Sequence, residues 1–154
     1  MSEMITSDGV FSREEAKLLS RLAELMIPAQ NDMPSGADDL VFGPALEALE
    51  TQAELVKKGL RALNQSSDTS VGESFLELSL ADQLQQCETV LDPSFKAVFQ
   101  TQVASSYYQD ERVMAAIGIP PRAPFPEGYQ IDETDWSVVE PVRARGAIFR
   151  NAPE

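Results

Sequence analysis

Apolar residues recur at helical spacing along most of this chain, and the first such segment is the clearest. Its apolar side consists of Leu18, Leu19, Leu22, Leu25 and Met26. Charged residues lie mostly opposite, as in a helix that covers a core. Ser12 is placed to cap this helix, Glu15 to complete a capping box, and Pro28 follows its end. We therefore predict an amphipathic helix from about Arg13 to Met26.

The second segment combines turn residues with another apolar stripe. A stretch rich in proline, glycine, asparagine and aspartate predicts a loop after the first helix. A short turn over 37–42 and a long helix ending near Asn64 follow, with Pro44 at the first position of that helix. Gly59 inside the helix lowers its stability by about 1 kcal/mol. The polar run NQSSDTSVGE then predicts a loop between two halves of one domain.

Three further helices are predicted before residue 119. After a turn over 75–78, Ser79 caps a helix over 80–91 whose apolar positions are Leu80, Leu84, Cys87 and Leu91. Asp92 and Pro93 start a central helix that continues to about Tyr108. A short helix over 110–117 follows, and Gly118 is placed to end it.

These patterns predict an all-α fold within a single domain. We expect a compact bundle of about four to six helices over residues 1–118. Residues 119–154 contain six of the ten prolines and show no sustained period, which predicts an irregular, extended C-terminal tail of the same domain. Within this tail, the pattern at 135–139 allows one helical turn.

The net charge and the lack of a long apolar stretch restrict the kinds of partner that this chain can bind. The formal net charge is −13, so nucleic-acid phosphates and anionic membrane surfaces repel this chain. The start of the chain has no basic region before an apolar run and no paired arginines, and no stretch is long enough to span a membrane. We expect a cytoplasmic chain without nucleic-acid binding or membrane insertion. Cys87 is the single cysteine, and a buried, inert thiol is its expected state.

Missing residue types exclude several kinds of catalysis. The chain has no histidine, so Ser–His and Cys–His mechanisms and the usual zinc sites cannot form. Its eight glycines form neither a dinucleotide fingerprint nor a phosphate-binding loop. We therefore predict no catalytic residue, no bound cofactor and no metal. The pairs Asp38–Asp39 and Glu14–Glu15 are the remaining candidates for carboxylate chemistry, although acids at a helix start usually interact with its dipole.

Three segments in order carry a family resemblance: IPAQNDMPSGADDLVF, YYQDERVMAAIGIPPRAPFPEGYQ and VEPVRARGAIFR. Together they resemble the gluconate 2-dehydrogenase subunit 3 family, from the first helix to about Arg150. The most specific part is the tyrosine pair Tyr107-Tyr108, followed by a short helix, Gly118 and then APFPEGY.

The resemblance implies a partner and a cofactor outside this chain. Members are small helical subunits paired with a large flavoprotein of the glucose-methanol-choline type, which carries the FAD and oxidises sugars, sugar acids or other alcohols. The small subunit is thought to support folding, stability or export of that partner. Many members carry a twin-arginine signal, which is not seen here. This departure implies a cytoplasmic hetero-oligomer, or a periplasmic one if the true N-terminus is missing.

Aromatic and basic residues near the C-terminus are the candidates for the partner interface. They are Tyr107, Tyr108, Phe125, Pro126, Tyr129, Trp136, Arg143 and Arg145. Tyrosines supply large surfaces with a polar tip, and an arginine pairs with carboxylates through two hydrogen bonds. Adjacent helical positions point about 100° apart, so at most one of the two neighbouring tyrosines fits in the core. The alternative is that the tail folds back over its own helices.

Three functional hypotheses from different classes follow. The first is a non-catalytic small subunit of a heteromeric FAD-dependent sugar or alcohol oxidoreductase, needed for folding, stability or assembly of the flavoprotein. The alternative is a free-standing acidic helical adaptor or chaperone that binds client segments through its aromatic tail. An enzyme using Asp38 and Asp39 is a third, and it requires a cleft that the pattern does not indicate.

Overall fold

A computed structural model describes residues 9–70, 74–121, 128, 133 and 135–146 of the chain. The chain divides into two compact units, residues 1–122 and residues 123–154, which we call the helical unit and the C-terminal unit. Within the described ranges the regular structure is helical and no strand is formed, which confirms the predicted all-α class. None of the helices in these ranges is long and apolar enough to cross a membrane.

The helical unit contains six α-helices and one short 3₁₀ helix among its described residues. The α-helices are α1 (Arg13–Met26), α2 (Asp39–Glu50), α3 (Ala53–Ser70), α4 (Leu80–Val90), α5 (Pro93–Tyr107) and α6 (Glu111–Ala116). The 3₁₀ helix, Phe75–Glu77, lies between α3 and α4. The largest contact between helices in this unit joins α2 and α5, and α5 also packs on α3.

Helix α1 forms as its sequence predicts. The Ser12 hydroxyl accepts a hydrogen bond from the Glu15 amide at 3.2 Å, and the Glu15 carboxylate accepts one from the Ser12 amide at 2.8 Å. This reciprocal capping box satisfies two amides that the helix itself leaves unpaired. The buried residues of α1 are Ala16, Leu18, Leu19, Leu22 and Ala23. The charged side therefore faces solvent and the apolar side faces the core.

The predicted boundary between the second and third elements is wrong. Asp38 caps α2, and Pro44 lies inside this helix rather than at the start of a long one. Proline has no amide hydrogen for the carbonyl of Leu40 one turn earlier, but both residues are exposed, so water can solvate that carbonyl. The inward residues Val41, Ala45 and Leu49 are spaced by four, and their burial stabilises the helix despite the proline.

Helix α3 also differs from its prediction at both ends. It begins at Ala53 after a break at Thr51 and Gln52, and it extends to Ser70, six residues past the predicted end at Asn64. Gly59 inside it makes room for a neighbouring ring, because a Cβ atom there would lie 2.5 Å from Cδ2 of Phe95. The cost of glycine in a helix is therefore offset by close packing of α3 on α5.

Two clusters form the core of the helical unit. The larger contains residues from α1 to α5, including Leu19, Leu49, Leu60, Phe75, Phe95 and Phe99. The smaller consists of Val41, Tyr107 and Val113, with Ile27 and Met33 packed against it. The smaller cluster joins the start of α2 to the end of α5 and to α6.

The last helix of the helical unit ends on Gly118, as predicted. The Ile119 amide donates to the Met114 carbonyl at 2.8 Å, and the Gly118 amide donates to the Ala115 carbonyl at 3.1 Å. These two bonds form a Schellman motif. Gly118 has φ +79, a left-handed conformation that suits glycine.

The C-terminal unit is more helical than its pattern predicts. A 3₁₀ helix, Trp136–Val139, is followed directly by α7, Glu140–Arg145. The Asp135 carboxylate accepts a hydrogen bond from the Ser137 amide at 2.9 Å, and Pro141 is preset for a first helical turn. Gly146, with φ +70, follows the last residue. The turn predicted at 135–139 is confirmed by the 3₁₀ helix. The irregular backbone expected after it is wrong at residues 140–145, because Pro141 favours the start of a further helix.

Candidate partner interface

The adjacent tyrosines at the end of α5 occupy opposite environments. Tyr107 is 5% exposed and belongs to the smaller core cluster, and its burial raises the pKa of its phenol. Tyr108 is 59% exposed and its ring stands edge-on to that of Tyr107, with centroids 5.4 Å apart. One tyrosine is thus in the core and the other is outside it, which agrees with the prediction that at most one of the two fits in the core. Tyr108 is therefore the member of the pair whose ring is exposed to solvent.

The remaining predicted interface residues belong to the C-terminal segment. Phe125, Pro126 and Tyr129 lie outside the described residues. Trp136 opens the second 3₁₀ helix and is 67% exposed. In α7, the Arg143 guanidinium lies 3.0 Å from the Glu140 carboxylate, and Arg145 is exposed in the last turn. The described part of this segment therefore exposes a tryptophan and two arginines, one of which is paired within its own helix.

The carboxylate pairs considered for catalysis have structural roles. The Asp38 carboxylate caps α2 by accepting a hydrogen bond from the Leu40 amide at 3.1 Å, and Asp39 is the first residue of that helix. Glu14 pairs with Lys17 at 3.5 Å, and Glu15 completes the capping box of α1. Among the described residues, no group of three or more acidic or cysteine side chains is arranged to hold a metal ion.

Arg112, which sequence reasoning missed, connects the starts of helices α2 and α6. Arg112 in α6 donates to both carboxylate oxygens of Asp38, at 2.7 and 3.1 Å, and to both oxygens of Asp110, at 2.7 and 2.9 Å. Asp110 caps α6. These hydrogen bonds lower the pKa of both carboxyl groups and raise the pKa of Arg112. Because 74 residues separate Asp38 from Arg112, no local pattern could have revealed this link.

A buried glutamine that the pattern also missed sets the orientation of α4. Gln83 is 1% exposed, and its side-chain amide donates to the Phe75 carbonyl at 2.9 Å. Its carbonyl oxygen accepts hydrogen bonds from Nε and Nη2 of Arg21 in α1, at 3.0 and 2.8 Å. Gln83 therefore joins α4 to α1 and to the first 3₁₀ helix, with both ends of its amide satisfied.

As a result, the apolar side of α4 is largely open. Leu80 is 58% exposed and Leu84 is 47% exposed, whereas Leu91, just past the helix end, is buried. The four apolar positions predicted for this helix do lie on one side, but that side faces outward at Leu80 and Leu84. We call Leu80, Leu84 and the partly buried Cys87 the open face of α4.

The open face continues into an apolar groove between three helices. The groove has a volume of about 420 Å³. Its apolar lining consists of Leu22, Leu25 and Met26 from α1, Leu84 and Cys87 from α4, Leu91, and Phe95 and Phe99 from α5. Burial raises the pKa of the Cys87 thiol, so the thiol is neutral near pH 7. The expected inert thiol is thus only partly buried, and it faces a groove.

A second groove lies toward the C-terminal end of α5. It has a volume of about 400 Å³ and is lined by Leu40, Pro44 and Ala48 of α2 and by polar residues of α5 and the turn after it. Leu40 is 71% exposed. Residues 97–109 contain no charged side chain, so the α5 wall of this groove carries only amides and hydroxyls. Charge depletion of this kind is typical of the centres of interfaces.

The charged residues of the sequence segment that contains α4 are of one sign. Between Arg61 and Lys96 the chain has no lysine or arginine. The acidic residues in this stretch are Asp68, Glu73, Glu77, Asp82, Glu88 and Asp92. Helix α4 thus combines exposed leucines with exposed carboxylates at Asp82 and Glu88.

Comparison with known proteins gives one match. The family model for gluconate 2-dehydrogenase subunit 3 matches residues 13–117, which run from the start of α1 to the residue after α6. The proline-rich and aromatic segment after residue 117 lies beyond the matched part, so the match tests only the first of the three quoted segments in full. No curated protein and no solved structure shows a significant match.

Proposed function

Because this chain belongs to the gluconate 2-dehydrogenase subunit 3 family, we propose that it is the non-catalytic small subunit of a heteromeric FAD-dependent oxidoreductase acting on a sugar or an alcohol. In this proposal a large flavoprotein subunit of the glucose-methanol-choline type holds the FAD and performs the oxidation. The small subunit contributes to folding, stability or assembly of that partner.

The observation that carries this proposal is the open face of α4. A leucine side chain gains about 1.5–3 kcal/mol when it is fully buried, and Leu80 and Leu84 forgo much of that gain in the isolated chain. Exposed apolar side chains that continue into an apolar groove are typical of protein interaction sites. A subunit of an oxidoreductase complex has a permanent partner to cover such a surface.

The residues available for chemistry are consistent with a supporting role. Paired carboxylates are the remaining candidates for catalysis. Asp38 and Glu15 cap helices, and Glu14 forms an ion pair with Lys17. Both grooves are lined mainly by aliphatic, aromatic and neutral polar side chains. These surfaces suit protein contact better than they suit proton or hydride transfer.

Co-expression tests the proposal directly. The chain is produced with a tag, alone and together with the proposed large flavoprotein subunit, and an acidic helical protein of similar size serves as the control. We expect the flavoprotein to co-purify with the tagged chain, and its soluble yield and FAD content to fall when the chain is replaced by the control. Soluble yield is measured as the amount of flavoprotein in the soluble fraction, and FAD content as flavin absorbance per polypeptide.

Two results would count against this function. A flavoprotein that is equally soluble and equally loaded with FAD without this chain, and does not co-purify with it, would remove the proposal. Similar affinity for many unrelated unfolded proteins would instead favour the free-standing adaptor or chaperone.

A further inference from the structure

The exposed side of α5 lacks the charges that helices α1, α3 and α4 carry. Each of those helices exposes charged side chains, of which Lys17, Arg61 and Glu88 are examples. Charged residues make up 24% of the whole chain, yet residues 97–109, in α5 and the turn after it, include none. Six of them are exposed, and all six are neutral. The exposed side of α5 after Lys96 therefore presents no charge to its surroundings.

The second groove joins this side of α5 to an apolar stripe on α2. Three residues of α2, spaced by four, and three neutral polar residues of α5 and its following turn line the groove, and we call these six the neutral face: Leu40, Pro44, Ala48, Gln102, Ser105 and Gln109. Leu40 is 71% exposed. The Ser106 hydroxyl, also in the lining, donates to the Val41 carbonyl at 2.5 Å and so joins α5 to α2. The neutral face is therefore formed by the isolated chain.

Charged groups near the neutral face are either paired or outside the groove. Among the described residues that line the groove, Asp110 alone is charged, and its side chain is 6% exposed and accepts hydrogen bonds from Arg112. Asp39 and Glu47 are exposed on α2 but do not line the groove. The centre of the neutral face therefore holds no unpaired charge, and charged residues lie at its edge, as in protein interfaces.

This lack of charge restricts what can cover the neutral face. A charged group of a partner would lose its hydration there and gain no opposite charge in return, which is unfavourable. An uncharged surface avoids that loss, because Leu40 and Pro44 offer apolar contact and the amides and hydroxyl of α5 offer hydrogen bonds. Pro44 also leaves the Leu40 carbonyl without its usual helical donor, which adds a backbone acceptor. The surface that fits is therefore neutral and forms hydrogen bonds.

We propose that the neutral face is the centre of a contact with an uncharged surface of the large flavoprotein subunit, with aliphatic side chains against Leu40 and Pro44 and hydroxyl or amide groups against Ser105. This inference rests on the proposed function, since it takes the flavoprotein as the partner. Helices α2 and α5 both lie within residues 13–117, which match the subunit family. Tyr108, three positions after Ser105 and 59% exposed, adjoins this surface, so a residue predicted for the interface borders the contact.

The first test places a charge in the neutral face. Ala48→Glu adds a carboxylate there, and Ala48→Gln adds a neutral side chain of the same size. Ala62→Glu adds the same charge at another half-buried alanine, on α3. We expect Ala48→Glu to weaken binding of the large subunit by about 100-fold, Ala48→Gln by no more than a few fold, and Ala62→Glu not at all.

Binding is measured by competition. The tagged variant and the untagged wild-type chain are produced together with the large subunit, and the share of flavoprotein that co-purifies with the tag gives the relative affinity. Circular dichroism shows whether each variant folds. Equal weakening by Ala48→Glu and Ala48→Gln would mean that size rather than charge matters at this face, and the inference would be overturned.

The second test examines how binding depends on salt. We expect Leu40→Gln to weaken binding of the large subunit by about tenfold at low and at high ionic strength, because the contact at Leu40 is apolar. Glu47→Gln, which removes a carboxylate outside the groove, is the control and should change binding by no more than a few fold, and only at low salt. Wild-type affinity of Leu40→Gln at every ionic strength would contradict the inference.

Further outcomes separate this inference from the proposed function. If the wild-type chain binds the large subunit and both Ala48→Glu and Leu40→Gln bind it equally well, the contact lies elsewhere and the proposed function stands. If the wild-type chain does not bind the large subunit, the proposed function fails and the inference fails with it. If the chain dimerises in sedimentation and Ala48→Glu makes it monomeric, a second copy covers the neutral face and the inference is overturned.

Discussion

Helices α1 and α4 are both amphipathic, yet the chain covers their apolar sides to different extents. In α1 the leucines face the core, and Leu19 is fully buried. In α4 the inward position is Gln83, while Leu80 and Leu84 are exposed. The difference shows that an apolar stripe identifies one side of a helix without identifying what covers it. For α1 the cover is the chain itself, and for α4 we propose that it is a partner.

The largest expected effect lies on the covered helix. Leu19→Ala removes a fully buried side chain from the main core cluster and leaves a cavity, so we expect the free energy of unfolding to fall by roughly 2–5 kcal/mol. Urea denaturation followed by circular dichroism measures this change. A loss below about 1 kcal/mol would show that α1 is not held by its apolar side, and the contrast with α4 would disappear.

The next effect tests the hydrogen bonds that orient α4. Gln83→Leu removes the hydrogen bond to the Phe75 carbonyl, which keeps only a long one from the Leu78 amide, and the two that Arg21 donates to Gln83. We therefore expect destabilisation of roughly 1–3 kcal/mol although the side chain becomes more apolar. Gln85→Leu, at an exposed position of the same helix, is the matched control and should change stability by less than about 0.5 kcal/mol. If Gln83→Leu stabilises the protein in urea denaturation, hydrogen bonding does not set the orientation of α4.

A smaller effect concerns the pH dependence of stability, which distinguishes the hydrogen bonds of Gln83 from the ion pairs of Arg112. The pKa of Asp38 and of Asp110 is lowered in the folded state, so their contribution is present above the unfolded value of about 3.9 and is lost as pH falls through the folded values. We therefore expect wild-type stability to decrease below about pH 4, and Arg112→Gln to decrease less steeply over the same range. Gln83→Leu should leave this slope unchanged.

Thermal melting across the acid range measures these slopes. Arg61→Gln removes the same charge from an exposed position of α3 and serves as the control. If the stability of Arg112→Gln depends on pH as steeply as that of wild type and of Arg61→Gln, the ion pairs of Arg112 with Asp38 and Asp110 do not join α2 to α6 in solution.

The smallest expected effect lies on the open face. L80Q and L84Q each alter an exposed side chain, so we expect the free energy of unfolding of the isolated chain to change by less than about 0.5 kcal/mol per substitution. Urea denaturation of the two single variants beside Leu19→Ala completes the comparison. Losses of several kcal/mol would mean that the leucines of α4 are covered by the chain itself.

Helices with strong local signals were predicted closely. Ser12 with Glu15, and Asp92 with Pro93, mark the starts of α1 and α5 at the residues where the structure begins them. Elements whose signals conflict were predicted poorly. Pro44 indicated a helix start, but the capping Asp38 and the buried positions Val41 and Ala45 place it inside α2. Propensity at one residue is outweighed by burial along a whole face.

The candidate interface was less predictable than the fold. Tyr108 and Trp136 were identified from residue type and are exposed, while the interface roles of all the predicted residues remain predictions. The open face of α4 was not identified as a surface, because its leucines show the same spacing as those of a core helix. Gln83 and Arg112 act through partners far away in sequence, and a single sequence carries no signal for such pairs.

By itself, the sequence determined that this chain is helical, where most of its helices begin, and that it is acidic and without histidine. These properties depend on caps, spacing and composition, which act within a few residues. The tertiary structure alone decided which apolar side of each helix is covered, because that depends on hydrogen bonds and packing between distant segments. In α4, the hydrogen bonds of Gln83 to Arg21 and to the Phe75 carbonyl fix the inward side of the helix, and Leu80 and Leu84 are left exposed.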